Sequence, residues 1–534
     1  PLKQGNTRGL RMGCKQMSIM RRLISVVVKK RMKLVKEIME NPIEMADSTL
    51  MSMLKANSDT VIGRQFGFDT ITSPDEYRER VPLMDSTKQQ EYWDQIYENP
   101  EGKILTAEPV IWYVESSGTT GKPKRLPMTK AGLKMVAQGS MLGFMAFMAQ
   151  NPENTKLVEG DMVTLGAPAV MDHINGIPVG YATGVYSEHQ NPIFARLMKP
   201  GADVYNIKNM DEKMWIYAKY LVEHNVTAIM GISTLNMALL RRLSEQYGPD
   251  LLEEYKGTKY ESKVKENLRE DGTLDIAGLC PNIKLFVATG INTDPYKKWI
   301  QKMLPNATIW EMYGGSEGFH GTQLTGEPDV YLTPHVTYYE FIPLDEVEND
   351  NPTVIPLSEV KVGERYEMVI SNLQGYYRYR LGDLVTFTSV KPYTICNIAR
   401  RGRVVNLSGE KLSEAHVQNA MSYASKITGT EITDYSVVGE TDEMVGKGHY
   451  TIAALVNGDI DSEAFINAFE NNIRESNEEF RIVRDMESLG RTRLRILKQS
   501  PVEIRASEYH IQSKPVPLTT DLSVLQLCEA EAAA

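Results

Sequence analysis

From residue 109 onward, short apolar runs alternate with longer amphipathic ones. Strand-length runs at 110–114, 162–165, 227–230 and 283–287 are separated by helical stretches at 130–148, 211–223, 234–245 and 295–303. That alternation predicts βαβ units and a layered α/β architecture. Thr129 stands where the first of these helices begins, as an N-cap whose hydroxyl can accept an N–H of the first turn. The same helix carries Met135, Met141, Met145 and Met148, a stripe that reads as core while leaving a ligand-facing role open. Ahead of residue 109 the pattern is helical. Met20, Ile24, Val27, Leu34, Val35 and Ile38 recur near helical spacing, 47–56 and 85–98 read as helices, and 66–74 is rich in turn residues. A surface loop is expected at 345–351, followed by strands at 366–370, 384–387 and 404–407. Near Arg400 the chain changes to a shorter, charged α+β tail, with strands at 435–438 and 450–456 and a helix at 462–475. A boundary there divides it into residues 1–400 and 401–534.

Composition adds limits. The 534 residues are 42% apolar and 24% charged, which fits a soluble globular chain of two or three domains. Lys plus Arg number 59 against 69 Asp plus Glu, a net charge of −10 that argues against whole-protein attraction to nucleic acid or anionic membrane. A local basic cleft remains compatible with it. Cys14, Cys280, Cys396 and Cys528 form no Cys-x-x-Cys pair, so neither a zinc site nor a disulfide framework is expected, and a reducing, cytoplasmic compartment is. No apolar run approaches the roughly 20 residues of a membrane span. The basic N-terminal stretch has too short an apolar run for a signal peptide and predicts a packing helix rather than a membrane-surface one. The chain begins at Pro1, so an initiator segment is expected ahead of it. No internal repeat or low-complexity tract is visible.

Four clusters carry candidate chemistry. Ser116-Ser117-Gly118-Thr119-Thr120-Gly121-Lys122-Pro123-Lys124-Arg125 offers backbone N–H groups, hydroxyls and cations, the ingredients of a polyphosphate cradle. A polar surface loop has the same composition. It is not a Walker loop, which needs four residues between its glycines and a Ser or Thr after the Lys. Tyr313-Gly314-Gly315-Ser316-Glu317, after a strand-like 307–312, can lay a base against a ring and hold Mg²⁺ through a carboxylate oxygen; a glycine turn with a solvated Glu is the plain alternative. Tyr377-Arg378-Tyr379-Arg380-Leu381-Gly382-Asp383 places a short carboxylate at a turn into a strand, where it can accept two ribose hydroxyls or serve only the turn. Arg401 and Gly409-Glu410-Lys411 lie at the domain boundary, where a lysine could swing onto a phosphate or sit in a charged linker.

Taken in order, these clusters resemble the acyl-adenylate-forming, firefly luciferase-like superfamily, and within it the Gretchen Hagen family of acyl-acid amido synthetases. The specific points are 116–121, 313–317 and 377–383, with weaker echoes at 60–67, 77–82 and 338–343, so the likeness spans about 60–412. The resemblance implies a large N-terminal adenylate-forming domain of β-structure and α/β layers, which binds ATP and the acid, and a smaller mobile α+β C-terminal domain. It implies ATP and Mg²⁺, a small carboxylic acid, and an amine acceptor, usually an amino acid, with no obligate protein partner. Ser116, Ser117, Gly118, Thr119, Thr120, Gly121 and Lys122 would hold phosphates, Thr119 acting in catalysis. Tyr313 would flank the adenine, with Gly314, Ser316 and Thr289 completing the nucleotide site. Glu317 would bind the metal and act in catalysis, Asp383 and Arg401 would bind the ribose, and Lys411 would act on the phosphate or the acyl carboxylate. Three departures keep alternatives open. Lys122-Pro123-Lys124 also resembles the loop of thioester-forming acyl-CoA ligases, Arg400 competes with Arg401, and a catalytically silent acyl- or nucleotide-binding protein would keep the cradle. Lys514 echoes a C-terminal lysine motif with loose spacing. His173, in a candidate acid pocket at 167–184, and His320 read as structural.

Overall fold

A computed structural model describes residues 14–528 except 116–123, 191, 291–292, 294–295, 402–403, 406, 409, 411, 443–446, 486–488 and 505–514. The first helix, Cys14–Glu40, buries Ile24, Val28, Val35 and Ile38 together with Phe147 and Leu157. Val27, expected on that face, is exposed instead: the buried stripe steps by four, seven and three residues, and Val27 falls off it toward solvent. The helix Pro42–Ala56 starts earlier than the expected 47–56, because Pro42 suits the first turn. The turn-rich stretch is flanked by two short helices that periodicity does not announce. Val61–Phe66 is capped by Thr60 and Pro74–Arg80 by Ser73, each hydroxyl accepting an N–H three residues on.

A twelve-stranded sheet dominates the chain. From one edge its order is Ile355–Pro356, Thr337–Pro343, Arg365–Asn372, Tyr376–Val390, Tyr393–Arg400, Val330–Leu332, Gly318–Thr322, Thr308–Gly315, Leu285–Ala288, Val226–Gly231, Asp161–Leu165 and Met198–Lys199. The last five are the parallel strands of the βαβ pattern, and the rest pair antiparallel. Thr308–Gly315 is the switch between the two regimes, parallel to Leu285–Ala288 and antiparallel to Gly318–Thr322. The antiparallel half curls on itself. Thr337 Oγ1 and Tyr339 Oη donate to the Phe319 and His320 carbonyls at 2.9 and 2.7 Å, although their strands are far apart in the sheet order. The expected turn at 377–383 is instead the interior of the single 15-residue strand Tyr376–Val390, bent where Arg378 and Gly382 take positive φ.

The helix Lys130–Gln150 covers this junction, with Thr129 as its cap. A Cβ at Gly139 would stand 2.3 Å from the Phe319 ring, so the helix approaches the Thr308–Thr322 hairpin as closely as glycine allows. Met135, Met145 and Met148 are buried there, which places the methionine stripe in the core.

Residues beyond Arg400 form a second sheet in the order Arg493–Ile496, Lys447–Asn457, Glu431–Asp442 and Leu518–Thr519, backed by helices Glu414–Thr428 and Ser462–Ser476. The strand expected at 404–407 shrinks to Val404–Val405, paired with Leu412–Ser413. The helix Glu414–Thr428 is not among the expected elements, although Ser413 and His416 cap it reciprocally. This unit rests on Ser233–Glu245 and Lys297–Met303. Arg241 pairs with Glu503 and donates to the Thr433 carbonyl at 3.1 Å, and Tyr296 stacks on Tyr435. Among the described residues no helix is long and apolar enough to cross a membrane.

Candidate functional site

Two of the four sequence clusters meet in one bond. Tyr313 Oη donates to Asp383 Oδ2 at 2.7 Å, although their strands stand four places apart in the sheet, so the curl of the antiparallel half brings them together. The meeting point lies at the switch strand. In open α/β sheets, ligand crevices form at the carboxyl ends of parallel strands where the order reverses. The residues around Asp383 serve the frame: Arg378 forks onto Glu340, Arg380 grips the wholly buried Glu367, and Tyr377 Oη donates to the Leu105 carbonyl at 2.8 Å. The motif thus delivers one carboxylate to the site and spends its other side chains holding it there.

The turn from Gly315 to Gly318 is pinned from outside its own hairpin. Tyr186 Oη donates to the Gly315 carbonyl at 3.1 Å, Gln374 Nε2 to the Ser316 carbonyl at 2.7 Å, and Asn372 Nδ2 to the Glu317 carbonyl at 2.9 Å. None of Tyr186, Asn372 and Gln374 belongs to a sequence cluster. Asn372 and Gln374 do carry a signal, as polar residues where a buried strand ends; Tyr186 carries none. The Glu317 carboxylate lies near the Tyr186 and Tyr376 phenols. Burial, and then that negative charge, push both well above their ordinary value. Tyr313 also tilts against His320, ring centres 5.2 Å apart, and His320 is buried.

Thr289 ends the strand Leu285–Ala288, next to the switch strand. Its N–H donates to Ser233 Oγ at 2.8 Å, and its carbonyl accepts the Ser233 N–H at 3.3 Å, tying two strand ends into one rim. Ser116, Ser117, Gly118, Thr119, Thr120, Gly121 and Lys122 lie outside the described residues. Their flanks are described: Trp112–Glu115 pairs with Arg125–Met128, Glu115 opposite Arg125, and runs parallel to Ile177–Tyr181, the strand that leads into Tyr186. These flanks therefore share a sheet with the strand that leads into Tyr186, whose hydroxyl reaches the Gly315 carbonyl. His173 is exposed in the strand Asp172–Ile174, away from any buried pocket wall.

Arg401 and Arg400 separate here. The Arg401 guanidinium is engaged by Glu348 at 3.1 Å and Glu367 at 3.2 Å, whereas the sheet register pairs Asp383 with Arg400. Lys411 and Lys514 lie outside the described residues, while Glu410, beside Lys411, is wholly buried. Among the described residues no group of three or more His, Cys, Asp or Glu could cage a metal. Glu317 alone supplies a hard carboxylate at the turn, the donor set of a Mg²⁺ held mostly by substrate phosphates and water.

Comparison with known proteins matches the chain in three consecutive parts: the GH3 family N-terminal domain over 31–324, the GH3 family central domain over 330–398 and the GH3 family C-terminal domain over 415–503. The chain is 25% identical over 543 residues to the jasmonoyl–L-amino acid synthetase JAR4 of Nicotiana attenuata, covering 90% of this chain and 92% of that protein. It is 23% identical over 490 residues to the indole-3-acetic acid-amido synthetase GH3.2 of Arabidopsis thaliana, covering 79% and 86%. Among solved structures, the AtGH3.15 acyl acid amido synthetase in complex with 2,4-DB superposes with a TM-score of 0.76 at 18% identity, over 94% of this chain and 96% of that one. A 2-hydroxyisobutyryl-CoA ligase in the postadenylation state, in complex with 2-HIB-AMP, shares the fold at a TM-score of 0.53 and 13% identity, over 90% and 89%.

Proposed function

The chain belongs to the GH3 family, and on that premise we propose that it is an acyl-acid amido synthetase that activates a small carboxylic acid with ATP and passes the acyl group to an amine, an amino acid being the expected acceptor. In the first step a carboxylate oxygen attacks the α-phosphorus, and the bond from that phosphorus to the β-bridging oxygen breaks, releasing pyrophosphate. In the second the amine nitrogen attacks the acyl carbon, AMP leaves with the electron pair of the broken C–O bond, and the nitrogen gives up a proton.

The observation that carries this reading is the Tyr313–Asp383 bond at the switch strand, since it supports a ribose subsite from residues 70 apart in sequence. Asp383 accepts the ribose hydroxyls, and the Tyr313 hydroxyl holds the carboxylate while the ring edges the base. The arginine of this subsite is Arg401, whose N–H donates to the Gly382 carbonyl beside Asp383, with Arg400, opposite Asp383 in the register, as the alternative. Thr289, Gly314 and Ser316 form the adenine-side rim. The 116–122 segment cradles the departing phosphates, with Thr119 at the reacting phosphate. Glu317 would hold Mg²⁺, which supplies charge neutralisation for the leaving group when bound. Lys411 carries the remaining positive charge to the phosphate or acyl carboxylate. Fixed donors of this kind stabilise charge as it develops without reorganising. The ATP- and acid-binding unit ends at Arg400, where the twelve-stranded sheet ends, and the second unit follows.

Carboxylate-dependent exchange of labelled pyrophosphate into ATP, measured over a panel of acids, tests the first step. Mass analysis of the product with amino acids or with coenzyme A then tests the second. Amide and AMP are expected; a thioester formed with coenzyme A would overturn the acceptor, and absence of exchange with every acid would favour a silent binding protein.

A further inference from the structure

The residue before Lys411 presents an unusual arrangement. Glu410 is 0% exposed, and among the described residues no cation pairs with it. Its two carboxylate oxygens accept instead the backbone N–H groups of Leu407 and Ser408, each at 2.8 Å, and the hydroxyl of Tyr450, itself buried in the strand Lys447–Asn457. Its own carbonyl accepts Asn477 Nδ2 at 2.8 Å, from the end of the helix Ser462–Ser476. A buried carboxylate without a counter-charge is costly, and here two backbone N–H groups and a hydroxyl offset that cost.

A second observation points the same way. Val405 and Leu407 lie on the hairpin Glu431–Asn457 at two positions without side chains. A Cβ at Gly439 would stand 2.8 Å from Val405 Cγ1, and one at Gly448 would stand 2.7 Å from Leu407 Cβ. The Tyr450 hydroxyl also lies 3.2 Å from the Val405 carbonyl. Val405, Leu407, Ser408 and Glu410 are thus clamped to the C-terminal sheet by packing and by the contacts of the Glu410 carboxylate.

We propose that Glu410 is a positioning residue, which with Tyr450 fixes the backbone just ahead of Lys411 to the C-terminal sheet. Lys411 then follows a backbone anchored at Leu407, Ser408 and Glu410 rather than a free linker. The inference rests on the role of Lys411 given above.

The experiment uses the full chain and two variants, Tyr450→Phe and Glu410→Gln, with thermal unfolding as a check on folding. Amide hydrogen exchange at Leu407 and Ser408 reads the clamp without reference to activity. Protection in the wild type, reduced on the order of tenfold or more in either variant, is expected; exchange at the rate of an open loop in the wild type overturns the proposal. Pyrophosphate exchange then reads the consequence. The turnover number of Tyr450→Phe should fall on the order of tenfold, with KM for ATP little changed, and the fall should vanish when the same change is made in Lys411→Ala. A loss of the same size with or without Lys411 would mean that Glu410 and Tyr450 act only on stability, and would overturn the positioning role. A wild type that protects these amides but exchanges no pyrophosphate with any acid would refute the synthetase reading, and with it the role of Lys411, while leaving the clamp.

Discussion

The proposed ribose subsite and the segment before Lys411 solve one problem in opposite ways. Asp383 sits within a 15-residue strand paired on both sides, so its position follows from a ladder of backbone bonds, with Tyr313 adding a single side-chain contact. Glu410 sits between two-residue strands, and the side chains of Tyr450 and Asn477 hold it in place. A ladder distributes its hold over many peptide groups and tolerates the loss of any one side chain. A clamp concentrates it in two or three residues, so the loss of one is felt locally.

Five changes would break or sharpen this contrast. The largest effect is expected at Asp383: Asp383→Ala should lower pyrophosphate exchange by roughly a thousandfold with little loss of stability, since the ladder remains. Unfolding of that variant at ordinary temperature would show that the carboxylate, not the pairing, builds the site. Glu317→Gln should cost roughly a hundredfold and blunt the response to added Mg²⁺; an unchanged Mg²⁺ titration would remove Glu317 from the metal. Where the second unit rests on the first, Arg241→Met leaves the partly buried Glu503 without its partner and should destabilise the chain by about 3 kcal/mol in urea unfolding. A neutral result there would mean that the two units hold together without this pair.

Lys213, on the helix Met210–Glu223 beside the parallel strands, offers a pH-dependent test. Its ammonium is buried and donates to the Gly166 and Tyr205 carbonyls at 3.1 and 2.9 Å, and burial brings it down from 10.5 to about 8. Between those values the unfolded chain binds a proton that the folded chain does not, so this residue makes stability rise with pH across that window. Below pH 8 both states are protonated and its unfavourable contribution is constant. The stability of the wild type relative to Lys213→Met should therefore increase by about 3 kcal/mol from pH 8 to 10.5. A flat difference would show that the two carbonyls compensate the buried charge in full. The smallest effect is expected from Tyr313→Phe, roughly tenfold in pyrophosphate exchange. A loss as large as that of Asp383→Ala would mean that the carboxylate has no position of its own without the hydroxyl.

Much of the parallel half is legible in the amino-acid pattern. The runs at 162–165, 227–230 and 283–287 are strands within one or two residues at each end, because strands buried on both faces read as continuous apolar runs. Thr129 is identifiable as a cap because capping is a local property. The antiparallel half is less legible. Tyr376–Val390 carries Arg378, Arg380 and Gly382 inside a strand, residues that argue for a turn unless Glu340 and Glu367 stand ready to receive the two arginines. Tyr393–Arg400 and Glu414–Thr428 escape the periodicity, the helix despite the cap at its start.

By itself the sequence determined the order of the chemistry: a phosphate-binding composition at 116–125, an aromatic, glycine and carboxylate cluster at 313–317, a carboxylate at Asp383 and a lysine past the boundary. It did so because turn geometry, donor type and charge are properties of neighbouring residues. Only the tertiary structure decided that Tyr313 reaches Asp383, that Arg401 is committed to Glu348 and Glu367, and that Glu410 is buried under Tyr450. Each of those contacts joins residues from 34 to 70 positions apart, and their meeting depends on how a sheet curls and where a second unit docks, which no local pattern encodes.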